Sequence, residues 1–156
     1  MKYKGVEAEA TYIVGAGLSV YGNASWNSAR LATDQTWVPL TPDKTAALGV
    51  LYNQGPLQGS VIEKYVGRRY GDSEDYYPLG GYGSADAAIN HTFGPLGSAV
   101  KNTKVGVTLQ NLTNRRSIYD LAGYSGSSST ASGPNGVPLL FTLPGRSFQV
   151  NLSASF

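Results

Sequence analysis

An acidic and aromatic segment carries the residue types best suited to ligand binding. It reads "GDSEDYYPLGG" over positions 71–81, and its carboxylates and tyrosines are Asp72, Glu74, Asp75, Tyr76 and Tyr77. Carboxylates at this density could bind a hard cation such as calcium, and paired tyrosines could stack on a flat ligand such as a catecholate. A solvated acidic loop beside interfacial tyrosines is the ordinary alternative. The spacing leaves both interpretations open, and we keep these residues as candidate ligand contacts.

Trp37 and two pairs of adjacent arginines are further candidates. Trp37 lies in "TDQTWVPLTPD", and the pairs are Arg68 with Arg69 and Arg115 with Arg116. A guanidinium group binds planar oxyanions through two hydrogen bonds, so these residues could bind phosphate groups or an anionic metal chelate. Adjacent residues of a strand point to opposite faces, so only one member of each pair can face a given side. Charges that mark the edge of an apolar zone are the ordinary alternative.

The composition argues against catalysis and against binding to nucleic acid. With no cysteine and one histidine, the chain has no thiol nucleophile, no thiolate zinc site and no second imidazole for a metal. His91 lies on the apolar parity of its segment, where it cannot serve a Ser–His–Asp triad. The net charge is only +2, and the basic residues follow no helical face. We therefore predict no enzyme activity, no cofactor, no metal site and no nucleic-acid partner.

Alternation of apolar and polar residues dominates the sequence and predicts an all-β protein. In the first segment Val6, Ala8 and Ala10 alternate with Glu7 and Glu9. The segments that alternate in this way are 4–14, 18–30, 44–54, 57–70, 82–94, 103–113 and 145–156. Only the fourth is ambiguous, because its apolar and basic residues share a parity. No apolar run of about 18 residues is present, which excludes a membrane-spanning helix.

Short and long connections alternate along the chain between these segments. The short ones are "GAG", "QGPLQG" and "GPLGSAVKN", and the long ones cover 31–43, 71–81 and 114–144. A transmembrane β-barrel has tight periplasmic turns at one end and long extracellular loops at the other, whereas a soluble sandwich has no such rule. The segments also reach the length of about 9 to 11 residues that a tilted membrane strand needs. The sequence therefore predicts an antiparallel, up-and-down membrane sheet.

Aromatic residues on the apolar parity predict the membrane boundaries. Such residues form girdles at the two interfaces of a membrane barrel. The predicted girdle residues are Tyr12, Tyr52, Phe93 and Phe156 near the short turns, and Trp26 and Phe148 near the long loops. Seven up-and-down strands cannot close on themselves, and an open edge is not tolerated in lipid. We therefore expect the chain to be a piece of a larger barrel.

Four stretches together resemble the C-terminal part of a TonB-dependent outer-membrane receptor barrel. They are "KGVEAEATY", "TPDKTAALGVLY", "VGVTLQNLTNRRSIYD" and the closing "LPGRSFQVNLSASF", and they cover essentially the whole chain. The resemblance implies a bacterial outer-membrane receptor with about 22 strands around a plug domain. It also implies uptake of a ferric siderophore or a similar scarce nutrient, with energy delivered by TonB. We expect residues 1–156 to form barrel only, with the plug and a signal peptide absent.

The same resemblance implies several partners. These are outer-membrane lipid and lipopolysaccharide, the rest of the barrel, the plug, TonB through the plug, and the barrel-assembly machinery. The terminal Phe156, on its alternating strand, resembles the assembly signal that this machinery recognises by strand addition. A girdle aromatic that happens to be last is the simpler explanation, and both roles need the same geometry.

Two other protein classes remain as alternatives. A small autonomous outer-membrane barrel would need an eighth strand, and only the 114–144 connection could hold one, in "GVPLLFTLP". A soluble β-sandwich, such as a carbohydrate-binding module, would bury the apolar parity between two sheets. The number of sheets and the exposure of the apolar face distinguish these classes from a barrel segment.

Overall fold

The chain folds into β-strands alone over the residues that the structure describes. The computed structural model describes residues 1–95, 99–122 and 139–156. The long strands are β1 (Lys2–Gly15), β2 (Leu18–Arg30), β3 (Lys44–Gln54), β4 (Leu57–Val66), β7 (Tyr82–Phe93), β8 (Asn102–Gln110) and β11 (Ser147–Ser155). The short strands are β5 (Arg69–Tyr70), β6 (Pro78–Leu79), β9 (Ile118–Ala122) and β10 (Leu139–Thr142). No helix in these ranges is long and apolar enough to cross a membrane.

The long strands form one antiparallel sheet in chain order. The order of the seven strands is β1-β2-β3-β4-β7-β8-β11, and each neighbouring pair is antiparallel. The all-β, up-and-down prediction is thereby confirmed. The short strands form two separate pairs, β5 with β6 and β9 with β10. Of the segment "GVPLLFTLP", residues 139–142 form β10 of a loop hairpin rather than an eighth strand of the sheet, and positions 136–138 lie outside the described residues.

The strand register gathers the apolar residues on one face. Directly opposed residues share a face, and one row across β2, β3, β4, β7, β8 and β11 is Val20, Val50, Val61, Ala87, Leu109 and Phe148. A row on the opposite face, across β3, β4, β7, β8 and β11, is Asn53, Gln58, Asn90, Gly106 and Asn151. We call the first the outward face and the second the inward face. The alternation in the sequence thus becomes a sheet with one apolar and one polar surface.

The register also resolves the ambiguous fourth strand. Val61 and Tyr65 lie on the outward face, and Lys64 lies on the inward face, where its ammonium group is 2.9 Å from a carboxylate oxygen of Asp86. The strand ends at Val66 instead of position 70, because the chain then turns into the β5–β6 hairpin. Because the charge of Lys64 is paired with the carboxylate of Asp86, the lysine can share its parity with apolar residues of the strand.

Nothing in the described part of the chain packs on the outward face. Large apolar side chains across this face are strongly exposed, at 70% for Val6, 60% for Leu48 and 73% for Leu152. A soluble β-sandwich would cover this face with a second sheet, so the single layer contradicts that alternative. An apolar face of this extent is stable only against another apolar phase.

The height of the apolar face agrees with the thickness of a membrane. On β2 the apolar outward positions extend from Leu18 to Trp26. Strand residues rise about 3.4 Å each, so these positions cover about 27 Å along the strand. A tilt of about 40° would project this length to about 21 Å, close to the apolar band of about 25 Å in outer-membrane barrels.

Candidate functional site

The two ends of the sheet differ in their connections and in their aromatic residues. Three of the predicted girdle residues, Tyr12, Tyr52 and Phe93, lie on the outward face beside the β1–β2, β3–β4 and β7–β8 connections, which define the short-turn end. Phe156 follows β11 at the same end and is 78% exposed. A role for this ring at a membrane interface, and for Phe156 in assembly, stays a prediction.

Trp26 and Phe148 lie at the opposite end, which we call the long-loop end. Both are on the outward face, opposite Lys44 and Leu109 respectively, and both are exposed. The assignment of Trp26 and Phe148 to a second aromatic girdle also stays a prediction. His91, on the outward face near the short-turn end, stacks on Phe93 with ring centroids 4.4 Å apart, as a residue of an aromatic belt would.

The long loops at this end are joined to one another by backbone hydrogen bonds. The amide of Leu40 donates to the carbonyl of Tyr70 over 2.7 Å, and the amide of Asp43 donates to the carbonyl of Arg68 over 2.9 Å. In the third loop the side chain of Leu121 is buried directly against Gly71. These contacts combine the loops into a layer that covers the end of the sheet.

Asp72 organises the acidic segment from within. Its side chain is fully buried, and its two carboxylate oxygens accept hydrogen bonds from the backbone amides of Glu74, Tyr76 and Tyr77 at 2.9–3.1 Å. Both oxygens are therefore engaged by the turn itself. This turn therefore fixes the backbone of Tyr76 and Tyr77, from which the two side chains leave the loop.

Asp75 and Trp37 connect the acidic segment to the loop after β2. One carboxylate oxygen of Asp75 accepts a hydrogen bond of 2.9 Å from the amide of Trp37, and the other lies 4.0 Å from the guanidinium group of Arg30. The indole ring is 7% exposed, donates to the carbonyl of Thr41 and has Arg30 4.7 Å above its centroid. Asp72 and Asp75 thus have separate partners, and no group of three or more metal-ligating side chains occurs in the described ranges.

Aromatic rings remain exposed on top of this layer. Tyr76 is 72% exposed and Tyr77 is 37% exposed. The β9–β10 hairpin adds Tyr119 and Phe141, whose ring centroids are 6.2 Å apart and which are 38% and 48% exposed. Sequence reasoning missed this second pair, and the only available signal was their position within the third long loop. The geometry allows stacking on a flat or apolar ligand at the long-loop end.

Arg69 holds the β9–β10 hairpin to the rest of the layer. Its guanidinium group is 3% exposed and donates to the carbonyls of Tyr119 at 2.8 Å, Ile118 at 3.1 Å and Gly80 at 3.4 Å. The ring of Tyr82 lies 5.0 Å from the guanidinium carbon. Burial lowers the pKa of Arg69, and the nearby Tyr82 and Asp120 oppose this effect. Arg69 is consequently a buried loop anchor.

The other arginines of the two pairs remain exposed. Arg68 lies 5.6 Å from the ring of Tyr70. Arg116 lies next to Gly145, with one guanidinium nitrogen 3.3 Å from the position that a Cβ would take there. The candidate role of Arg115 and Arg116 in binding an anionic ligand stays a prediction.

Asn111 fixes the return of the third loop, a role that sequence reasoning missed. It adopts a positive φ of 50°, which ends β8 at Gln110 instead of position 113. Its side-chain amide donates to the carbonyls of Arg115 and Pro144, both at 2.7 Å, and its side-chain oxygen accepts the amide of Arg115 at 3.0 Å. The "NLTN" motif therefore closes the base of the loop.

Two carboxylates stand on the inward face of the edge strand β1. Glu7 and Glu9 face Ser25 and Asn23 across the β1–β2 pair, and both are exposed. Glu9 accepts a hydrogen bond of 3.3 Å from the hydroxyl of Tyr21. The ion pairs within the described residues involve other side chains, so these carboxylates are available to a cationic partner.

Comparison with known proteins agrees with this architecture. The family model described as TonB dependent receptor-like, beta-barrel matches residues 1–112. The chain is 29% identical over 127 residues to the ferrichrome outer membrane transporter/phage receptor of Escherichia coli strain K12. This match covers 76% of the chain but 17% of the relative, so the chain spans under a fifth of that protein's length.

Solved structures show the same fold. The ferric yersiniabactin uptake receptor FyuA from Yersinia pestis superposes with a TM-score of 0.73 at 21% identity, over 99% of this chain and 23% of that one. The unliganded ferric citrate transporter FecA gives a TM-score of 0.72 at 15% identity, over 97% and 24% of the two chains. The sheet thus corresponds to about a quarter of each of these longer chains.

Proposed function

The chain belongs to the TonB dependent receptor-like β-barrel family, and we propose on this premise that it forms part of a transporter for a ferric siderophore or a similar scarce nutrient. The chain is a component of the bacterial outer membrane, where its outward face contacts lipid. The matched relatives are transporters and receptors by name, which supports a role other than catalysis.

The observation that carries the proposal is the layer of joined loops with exposed aromatic rings. Tyr76 projects from a turn fixed by the buried Asp72, so its ring is presented to solvent in a defined direction. Rigid aromatic contacts bind with little loss of conformational entropy. An iron chelate whose individual ligand groups are aromatic or planar suits such a surface.

The inward face is proposed to contact a plug domain supplied outside residues 1–156. This face is rich in amide and hydroxyl side chains, with Glu7 and Glu9 as exposed carboxylates on β1. Arginine or lysine side chains of a plug would form charge-assisted hydrogen bonds with these carboxylates across the polar interface between barrel and plug. The plug would then contact TonB, whose energy releases the ligand inward.

Neutralising these carboxylates should loosen the plug. In the complete receptor, the double variant Glu7→Gln and Glu9→Gln is expected to lower the urea concentration at which protease first cleaves the plug. The matched control is Glu63→Gln, which removes a carboxylate from the outward face of β4. If the control and the double variant behave alike, the inward carboxylates do not hold a plug.

The ligand proposal is tested by direct binding. We expect the complete receptor to bind one ferric chelate from a panel of hydroxamate, catecholate and carboxylate siderophores in preference to cobalamin. Replacing Tyr76 with alanine should weaken that binding about fivefold, because stacking is worth about 1 kcal/mol. Isothermal titration measures both affinities.

A conservative variant separates stacking from hydrogen bonding. Tyr76→Phe keeps the ring and is expected to bind like the wild type, and Tyr52→Ala removes a tyrosine at the short-turn end, remote from the loops. Preference for cobalamin, or equal weakening by Tyr52→Ala, would contradict the proposal.

A further inference from the structure

An ammonium group and a carboxylate flank the ring of Tyr65 on the outward face. Lys44 belongs to β3, and its ammonium group is 5.9 Å from the centroid of the Tyr65 ring. Glu63 lies two residues before Tyr65, and one of its carboxylate oxygens is 3.2 Å from the position that a Cβ would take at Gly83 of β7. The register pairs Gly83 directly with Tyr65. The cation therefore lies on the β3 side of the ring, and the anion lies on the β7 side.

Neither charge has an oppositely charged partner within the described part of the chain. The ion pairs there involve other side chains, and no hydrogen bond engages the ammonium group of Lys44 or the carboxylate of Glu63. Glu63 is exposed, and its neighbours across the sheet are Leu48 and Ala85. Ionisable side chains in membrane-spanning segments are costly and are generally found paired. These two groups are thus available to a molecule outside the sheet.

The outward positions beside Tyr65 carry small side chains. The register places Ala46 of β3 and Gly83 of β7 directly opposite Tyr65, and Ala24 of β2 lies beyond Ala46. The ring of Tyr65 is 39% exposed and stands above these neighbours. Small residues allow membrane-embedded protein surfaces to approach each other closely. Another protein surface can therefore reach the two charges without displacing bulky side chains.

The arrangement of the two charges is complementary to itself. A two-fold interface uses the same patch on both copies, so that residue i contacts residue j and residue j contacts residue i. If two copies face each other across an axis along the membrane normal, the β3 side of one meets the β7 side of the other. Lys44 of each copy then lies opposite Glu63 of the other, at the same depth in the membrane. Each ammonium–carboxylate pair can form a charge-assisted hydrogen bond.

We propose that the patch of Lys44, Glu63 and Tyr65 joins two copies of the receptor into a two-fold dimer in the outer membrane. A second copy suits the patch better than an anionic lipid headgroup, which would pair with Lys44 but be repelled by Glu63. The proposal rests on the outer-membrane location and not on the cargo, so it can fail while the proposed transport function stands. Glu63→Gln still serves as the control for plug retention, because the plug is proposed to contact the opposite face of the sheet.

Charge reversal in the complete receptor tests this contact. Glu63→Lys and Lys44→Glu each turn both pairs of the dimer into like-charge contacts, which are strongly unfavourable at an interface. The control is Lys104→Glu, which reverses a charge on the inward face, where the lysine donates to Gln58. Sedimentation equilibrium in detergent, without ligand, measures the dissociation constant of the dimer. Energy transfer between donor- and acceptor-labelled copies measures association in vesicles that contain lipopolysaccharide.

A mixture of the two reversed variants distinguishes contact between copies from contact within one copy. The Glu63→Lys copy carries two cations at the patch and the Lys44→Glu copy carries two anions, so each variant pairs with the other and not with itself. We expect the wild type and the control to dimerise, and each reversal alone to weaken dimerisation at least about tenfold. The equal mixture is expected to recover the wild-type affinity.

A monomeric wild type, a dimer that neither reversal weakens, or a mixture that stays monomeric would contradict the proposal. A dimer in detergent that separates in vesicles with lipopolysaccharide would contradict it too, because the glycolipid would then occupy the patch. Heat-modifiable migration on electrophoresis reports barrel formation by each variant separately. If a reversed variant forms no barrel, Glu63→Gln or Lys44→Gln replaces it and should also weaken the dimer.

Discussion

Replacing Val107 with arginine is expected to destabilise the folded receptor in its membrane by about 2–4 kcal/mol. Val107 lies near the middle of β8 on the outward face, between Ile89 and Val150 of the neighbouring strands. An arginine at the midplane of a membrane barrel loses its hydration and meets only acyl chains, which costs this amount. The urea dependence of the heat-modifiable band in lipid vesicles measures the change.

The adjacent residue provides the matched control. Thr108 has the same strand and depth but lies on the inward face, opposite Ala88 and Gln149. Thr108→Arg places the same charge in a polar lumen and should cost less than about 1 kcal/mol. If both variants lost the same stability, the assignment of the outward face to lipid would be wrong.

Replacing Arg69 with methionine is expected to release the β9–β10 hairpin without unfolding the sheet. Three backbone carbonyls lose a charged donor, and a hydrogen bond to a charged group contributes about 1.5–3 kcal/mol before relaxation. A net local cost of about 2–4 kcal/mol should raise hydrogen exchange at the amides of Ile118–Ala122 about 30- to 800-fold. Mass spectrometry of exchanged peptides would detect this change.

Arg68 is the control for the arginine prediction. It is exposed, and its contact of 5.6 Å with the Tyr70 ring is worth about 0.5–1 kcal/mol. Arg68→Met should therefore change exchange in the hairpin less than about fivefold. Equal protection in Arg69→Met and the wild type would show that other contacts hold the hairpin.

The sheet could be predicted from the sequence because each long strand carries its own signal. Alternation fixes which residues share a face, and the fixed alternation of loop lengths orders the strands, so neither depends on distant contacts. The prediction was less accurate at strand ends. β8 ends at Gln110 because Asn111 adopts a positive φ and binds Pro144, a residue far along the chain.

The loop layer could not be predicted in the same way. Asp72 and Arg69 were candidates for ligand contact because their residue types suit it, yet burial gives both a structural task. Burial depends on how loops of different origin meet, as where Leu121 covers Gly71. The exposed ring of Tyr119 was missed for the same reason, since no local period marks a short hairpin inside a long connection.

The backbone hydrogen bonds that join the long loops have a consequence for how such a receptor could change its specificity. The bonds from Leu40 to Tyr70 and from Asp43 to Arg68 use main-chain atoms, which every replacement other than proline retains. Exposed side chains such as Tyr76 can therefore be exchanged while the path of the loops is conserved. The same loop backbone could carry different exposed side chains, introduced by evolution or by a mutant library, and so present a different surface for ligand binding.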